Sequence, residues 1–509
     1  MAGGVSPNKI VTIPLEDYNS DHYLTLLYQA MTDMGWHVGY FDHDGIIAYT
    51  NISWASYSEE VSARVKNNAI IIKSECVGYQ GLWTDYGKNR ENIDRLLDEL
   101  TFVENYVVED LEQTTQELIN DIPEKQFLNL DDPPMAGKEQ LRGFFSPIIP
   151  RQKYFVTPLL VILNSLVFFF SSAALRLWPT FLNRSQFHLE PGETTREKMF
   201  MWLGFNNRAH VLNGEVWRLL TGIFQHFSFL HLFFNMVALV YIGSLIESKL
   251  GRWNYLLMFL FTGIIASMVS VFWNYSQISA GASGAIFGLF GILLALLSTD
   301  FYERSARKAL LISTAIVVGF NIIPVGEGVD HAAHFGGLIS GYAFGWIAYT
   351  GLNHQNIFVK KWGIPLAGSA IVVIFVACGL LFSQQYQVKE YDLLLQRTEA
   401  YSNDLNKDFY GEPNGDDRSR DEKLAAIEQL ALPEVDQLKK IATSIKKLKL
   451  PSKKQKAAVA ISKLIDLQCQ YYPLLYLEFK ERDMNRYRPK IDSLTELINK
   501  VRVDWIKNN

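Results

Sequence analysis

Between Tyr154 and Ser383 the chain strings together long apolar runs with almost no charge, while both flanks are dense in Lys, Glu and Asp. No other feature limits the fold so strongly. A helix crosses a hydrocarbon core with roughly 20 mainly apolar residues, within a range of about 17–25. Seven stretches qualify, at approximately 154–175, 226–246, 255–273, 281–298, 309–325, 333–350 and 363–383. The last, "GIPLAGSAIVVIFVACGLLFS", is the cleanest; the fifth, "ALLISTAIVVGFNIIPV", is interrupted at its end by Asn321 and Pro324. The expected class is an α-helical polytopic membrane protein with a soluble segment at each end. The start, "MAGGVSPNKIVTIPLEDYNS", lacks the basic opening and apolar core of a signal peptide, so insertion is expected to depend on the internal helices.

Lys and Arg in the short connections set the orientation. Arg142, Arg151 and Lys153 precede the first span, Lys249 and Arg252 follow the second, and Arg304, Arg307 and Lys308 follow the fourth. Lys360 and Lys361 follow the sixth, whereas the alternate connections "NYSQIS" and "GEGVDH" contain no basic residue. The N-terminal segment is therefore expected in the cytoplasm and the C-terminal one on the opposite side. The connection of about fifty residues from Arg176 to Gln225 should lie outside yet holds several basic residues. Long loops follow the rule less strictly, and Trp178, Trp202, Trp217 and several Phe suit a segment lying in the interface.

A net charge of −5 without a basic face gives no electrostatic case for nucleic acid. Cys76, Cys378 and Cys469 fall one in each part of the chain, with no metal-ligand spacing and no disulfide framework. Neither metal nor cofactor is expected.

Polar groups at membrane depth are costly and point to function. The second span opens "QHFSFLHLFFNM", with His226, His231 and Asn235; the last two are four residues apart and share a helix face. The fourth opens "GASGAIFG", with Ser283 one short turn in, and the sixth opens near "DHAAHFGGLISGYAFG", with His334 near its start. All three spans run from outside to inside, so His231, Ser283 and His334 share one depth near the outer surface. Nucleophile, base and oxyanion donors are the parts of an acyl-transfer site. The structural alternative is close helix packing, because Gly284–Gly288 and Gly337–Gly341–Gly345 have small-residue spacing. The two are compatible, since a serine and a histidine on different helices meet only where those helices pack closely. His226 and His331 read as neighbours of the site, and the Met and Phe of the spans as core or lipid-facing.

These residues resemble the rhomboid intramembrane serine proteases over roughly 150–350. The resemblance rests on "EVWRLLTGIFQHFSFLHLFFNM" (215–236), "GASGAIFG" (281–288) and "AHFGGLISG" (333–341). It implies a six-helix core with one further C-terminal transmembrane helix. By the same resemblance Ser283 is the nucleophile and His334 the general base of a dyad, and His231, Asn235 and the Ser283 N–H form the oxyanion hole. Gly281 would let the chain bend into its helix, Gly284 would leave room beside the nucleophile, and Gly337 and Gly341 belong to the matching helix. Trp217 and Arg218 match a structural loop motif. Phe287 stands where family members often carry a tyrosine packed on the catalytic histidine. Asp330 lies four residues before His334, but that spacing is no evidence of a catalytic bond. The implied substrates are membrane proteins with helix-destabilised transmembrane segments, cut near the outer face beside the lipid bilayer.

Residues 1–150 read as an α+β domain. A helix is expected over 21–35, a hairpin over 36–50 turning at Asp44–Gly45, a strand over 68–78, and one or two amphipathic helices over "NRENIDRLLDELTFVENYVVEDLEQTTQELIND". "LDDPPMAGKEQLRG" is the linker to the core at 151–350, which is followed by the seventh span, 363–383. Residues 384–509 read as a helical bundle, with helices near 385–408, 421–447, 453–482 and 486–507. Self-association, adaptor binding or substrate recruitment are the roles expected of the two ends. Two functions compete: an active intramembrane protease, expected in a bacterial inner membrane, and a catalytically silent scaffold or quality-control factor that binds transmembrane helices. A transporter would need inverted repeats or paired broken helices, and zinc or aspartyl intramembrane proteolysis would need HExxH or paired intramembrane aspartates; the sequence has neither.

Overall fold

The computed structural model describes residues 8–15, 18–51, 58–77, 85–106, 110–123, 126, 130, 145–181, 194–275, 277–299, 301–302, 304–322, 329–353, 357–411 and 419–508. Alternating apolar residues near the start pair into one antiparallel sheet. Its strands are β1 (Asn8–Pro14), β2 (His37–Asp42), β3 (Gly45–Tyr49), β4 (Glu59–Val65) and β5 (Ala69–Cys76), in the order β1–β5–β4–β3–β2. One face presents Ile46, Ala48, Val61, Ala63, Ile70 and Ile72 to α1 (Ser20–Asp33), α2 (Lys88–Tyr106) and α3 (Leu111–Asn120), the period-2 pattern of a half-buried sheet. The expected hairpin forms, and the Asp42 carboxylate fixes its turn by accepting from the N–H of Asp44 (2.8 Å) and Gly45 (3.1 Å). The amphipathic stretch resolves into two helices. Strands β1 and β4 were not legible in advance; β4 opens on two glutamates, which mask its alternation. The linker expected after Leu130 lies outside the described residues.

Each apolar stretch folds as a helix, the conformation that satisfies every backbone N–H and C=O within its own segment. In chain order the helices and short strands are α4 (Val156–Phe181), α5 (Thr195–Trp202), β6 (Asn206–Asn207), α6 (Arg208–Leu212), α7 (Arg218–Thr221), α8 (Phe229–Leu250), α9 (Arg252–Trp273), β7 (Ile278–Ser279), α10 (Ser283–Leu297), α11 (Arg304–Ile322), α12 (His331–Asn353) and α13 (Ile357–Phe382). Among the described residues, α4, α8, α9 and the Pro365–Phe382 part of α13 are long and apolar enough to cross a membrane, and α10 is a shorter apolar helix. The fifth and sixth stretches are helical too, as α11 and α12. The chain is a mostly helical, integral membrane protein in this part.

Two devices set the helix packing. The buried Glu247 carboxylate, near the end of α8, caps the start of α4: it accepts from the N–H of Val156 (2.6 Å) and Thr157 (2.9 Å) and from the Thr157 hydroxyl (2.7 Å). These are orphan donors at a helix N-terminus, where a carboxylate is favourable. The second device is a glycine seam between α10 and α12. A Cβ on Gly337 would overlap Gly284 O, one on Gly341 would overlap Gly288 O, and one on Gly291 would overlap Leu338 O. The small-residue spacing read from sequence is thus a backbone-to-backbone contact.

The chain divides into two units, one running from the sheet to Phe382 and a second that begins at Ser383. The second contains α14 (Val388–Tyr410), α15 (Arg420–Ala426), a π-helical turn (Ile427–Ala431), α16 (Leu432–Lys447), α17 (Ser452–Glu481) and α18 (Met484–Asn508). The four helical stretches expected there are present. Val435, Leu438, Ile441, Ala442 and Ile445 line one side of α16 and pack with Ile465, Tyr472 and Tyr476 of α17.

Candidate active site

Ser283 is the first residue of α10 rather than one turn inside it. The turn before it is forced by Gly281, whose φ of +123° is closed to most L side chains. The Gly281 N–H donates to Gly222 O (3.0 Å), which ties this turn to the segment before α8. Because Ser283 opens a helix, its own N–H has no acceptor within that helix.

The first turns of α8 meet the same glycine. A Cβ on Gly281 would lie 2.8 Å from His231 Cε1 and Nε2 and 3.5 Å from Asn235 Nδ2. His231 is the third residue of α8, held there by the Ser228 cap, whose hydroxyl accepts from the His231 N–H (3.2 Å). Asn235 follows one turn later, and its Nδ2 is buried without a hydrogen-bond partner among the described residues. An unpaired buried amide is costly, about 1–3 kcal/mol, and calls for an explanation. His226 is buried against His231, ring edge to ring face with centroids 5.0 Å apart. It is a neighbour of the site, as the sequence suggested.

His334 reaches the site from α12. Its ring stacks on Phe287 with centroids 4.1 Å apart and planes 10° from parallel. Phe287 is one helical turn after Ser283, so the ring that orients the histidine rides on the helix that presents the serine. The seam brings the neighbours of both residues together: a Cβ on Gly284 would sit 3.6 Å from Ala333 O. Among the described residues His334 Nδ1 has no hydrogen-bond partner. A Ser283–His334 hydrogen bond is not among those the described residues make; such bonds are often long in unliganded sites and tighten with substrate. A cavity of about 20 Å³, room for one water, is lined by Asn206, Ser267, Ser279, Gly281, Ser283 and Asp330 among others.

The Trp217–Arg218 pair does structural work. Arg218 is buried, donates to the carbonyls of Met201 and Phe205 and to Glu215 (2.7 Å), and its guanidinium lies 4.4 Å over the Trp217 ring. His210 and then Arg218 hold the Glu215 carboxyl below its ordinary range. Trp178 lies among residues whose side chains are outside the described set. Sequence reasoning missed the role of Asp330, which it weighed only as a partner of His334. The Asp330 carboxylate instead binds two other segments, the end of α9 through Ser270 and Asn274 and β7 through Ser279, and the sequence separation of those partners left no local signal. No group of His, Cys, Asp or Glu among the described residues is arranged to hold a metal ion.

The rhomboid domain model matches residues 213–351. The rhomboid protease GluP of Bacillus subtilis is 32% identical over 258 residues, covering 48% of each chain. RHOMBOID-like protein 5 of Arabidopsis thaliana is 35% identical over 167 residues, 32% of this chain and 53% of the relative. Rhomboid-like protease 2 of Toxoplasma gondii is 36% identical over 153 residues, 29% of this chain and 52% of the relative. The chain thus spans about half the length of these relatives. With the match running from the loop before α7 almost to the end of α12, and with Ser283, Phe287, His334, His231 and Asn235 inside it, the chain carries a rhomboid domain over residues 213–351.

Proposed function

We propose that the chain is an intramembrane serine endopeptidase that cuts membrane proteins in or beside a transmembrane helix, near its outer end. The observation that carries this reading is a pair of buried, unpartnered groups, Asn235 Nδ2 and His334 Nδ1, flanking the helix start that presents Ser283. Polar groups left unpaired at such expense are what a site built for a transient charge requires.

In the proposed chemistry Ser283 Oγ attacks the scissile carbonyl and passes its proton to His334 as a new C–O bond forms. The carbonyl oxygen takes up the electron pair, and Asn235 Nδ2, His231 and the Ser283 N–H stabilise it. Donors aimed at a developing oxyanion are worth about 10²–10³ in rate each. His334 then protonates the leaving amine as the C–N bond breaks, and water, deprotonated by His334, hydrolyses the acyl-enzyme. Phe287 holds the imidazole plane throughout. Two relatives that carry the name protease, from Bacillus subtilis and Toxoplasma gondii, support the reaction class.

The same reading assigns 151–350 to a six-helix core and 363–383 to a seventh crossing, with 1–150 in the cytoplasm and 384–509 outside a bacterial inner membrane. Substrates would be transmembrane segments that unwind easily, and the soluble ends would serve self-association or adaptor binding. The test compares wild type with Ser283→Ala in liposomes, each given a tagged single-span substrate. Cleavage near the outer end of the span by wild type alone supports the proposal. Equal cleavage by both refutes Ser283 as nucleophile, and no cleavage by either on several substrates favours a helix-binding scaffold.

A further inference from the structure

Asp330 sits just before α12 and gathers hydrogen bonds from three side chains at two other places in the chain, the end of α9 and β7. Its Oδ2 accepts from the Ser270 hydroxyl (2.5 Å) and the Ser279 hydroxyl (2.5 Å); its Oδ1 accepts from Asn274 Nδ2 (3.1 Å) and from the N–H of Ala333 (3.0 Å). Asn274 also donates to Ser270 Oγ (3.2 Å), which closes a small ring of bonds at the end of α9. The Asp330 backbone carbonyl takes the His334 N–H (3.1 Å), the first intrahelical bond of the turn that carries the histidine. All four bonds made by the carboxylate are to donors, the arrangement an ionised carboxylate accepts.

The register of these bonds is the informative part. Ser279 stands four residues before Ser283, and Asp330 stands four residues before His334. The Ser279–Asp330 hydrogen bond therefore joins the two segments that carry the proposed nucleophile and base, at the same remove from each. Ser270 and Asn274 fix the joint to the end of α9, and the pairing of Ser279 with Asn206 extends it to β6. The glycine seam packs α10 on α12 below this joint. That packing sets how closely the two helices approach, but smooth backbone surfaces do little to stop a slide along the axis. A hydrogen bond between fixed points does.

We propose that Asp330 is a positioning residue, a latch that sets the register of Ser283 against His334 through its bond to Ser279. The proposal rests on the dyad reading above. A misplacement of about 1 Å costs roughly 10² in rate, so the effect belongs in kcat rather than in substrate affinity.

The experiment measures kcat and KM on a single-span substrate in liposomes, and the rate of Ser283 labelling by a fluorophosphonate, for the full-length chain. Ser279→Ala is expected to lower kcat and the labelling rate about 10-fold, and Asp330→Ala about 10²-fold, with KM within about twofold. The double variant should be no slower than Asp330→Ala alone, because both remove one joint. Ser279→Thr, which keeps the hydroxyl, should restore most of the rate. Ser279→Ala is a gentle change on a short strand, so it remains readable if Asp330→Ala folds poorly. Additive losses, a loss confined to KM, or wild-type rates in Ser279→Ala would overturn the latch while leaving the dyad standing. A wild type that neither cleaves nor labels at Ser283 overturns the dyad and the latch together.

Discussion

The sheet domain and the site at Gly281 both bury clusters of polar groups, and they treat them in opposite ways. Beside the sheet, Glu59 accepts from the Thr50 hydroxyl (2.6 Å) and Asn92 Nδ2 (3.0 Å), while Thr50 Oγ1 accepts from the Glu59 N–H (2.9 Å). Ser74 donates to Asn89 (2.9 Å), and Asn89 donates to Asp85 (3.1 Å). Every member of that network is answered by another. Around Ser283, Asn235 Nδ2, His226 Nε2 and His334 Nδ1 are buried and unanswered among the described residues. Burial of polarity alone therefore says little about function. A closed network holds a fold together, and an open one waits for something the fold does not contain.

Mutations separate the two kinds of cluster. Asn235→Ala should lower kcat about 10²–10³-fold and leave the thermal unfolding midpoint unchanged or higher, since the amide it removes is unpaired in the folded state. Undiminished cleavage in this variant would remove Asn235 from the oxyanion site and blur the contrast.

The opposite face of the sheet supplies a pH test. Burial, opposed by Lys73 and reinforced by Glu75, lifts the Glu60 carboxyl from 4.5 to about 7. A carboxyl whose pKa is raised by folding binds more protons folded than unfolded, so its contribution is complete below about 4.5 and is lost as pH rises through about 7. The sheet domain should lose stability on the order of 3 kcal/mol across that window. Glu60→Gln should flatten the dependence, as read by denaturant unfolding at several pH values. An unchanged slope in Glu60→Gln would show that another group titrates there.

The smallest effect is expected in the closed network. Glu59→Ala strands the Thr50 hydroxyl and the Asn92 amide and should destabilise the sheet domain by about 1–3 kcal/mol, with kcat per folded molecule unchanged. A selective loss of kcat would mean that this network, too, serves the chemistry.

The apolar helices were legible because membrane burial writes a strong signal: apolar runs long enough to span, with a few polar residues whose positions stand out against them. His231, Ser283 and His334 all fall in the first turn of their helices, Ser283 earlier in its helix than its place in the apolar run implied. The seam was legible for the same reason, in glycines spaced four apart. The Asp330 latch was not, because its donors lie 51 to 60 residues away and are ordinary serines and an asparagine. Strand β4 was hidden by its glutamates, whose burial depends on partners from other elements, such as Thr50 and Asn92 for Glu59. Sequence periodicity reports which face is buried; it does not report which polar groups will find each other.

The most direct test of the central claim is to react the full-length chain in liposomes with a fluorophosphonate and locate the adduct by peptide mass spectrometry. A single adduct on Ser283, absent in His334→Ala and retained in Glu59→Ala, is the predicted result. An adduct that persists in His334→Ala, or that forms elsewhere while Ser283 stays unmodified, would contradict the account.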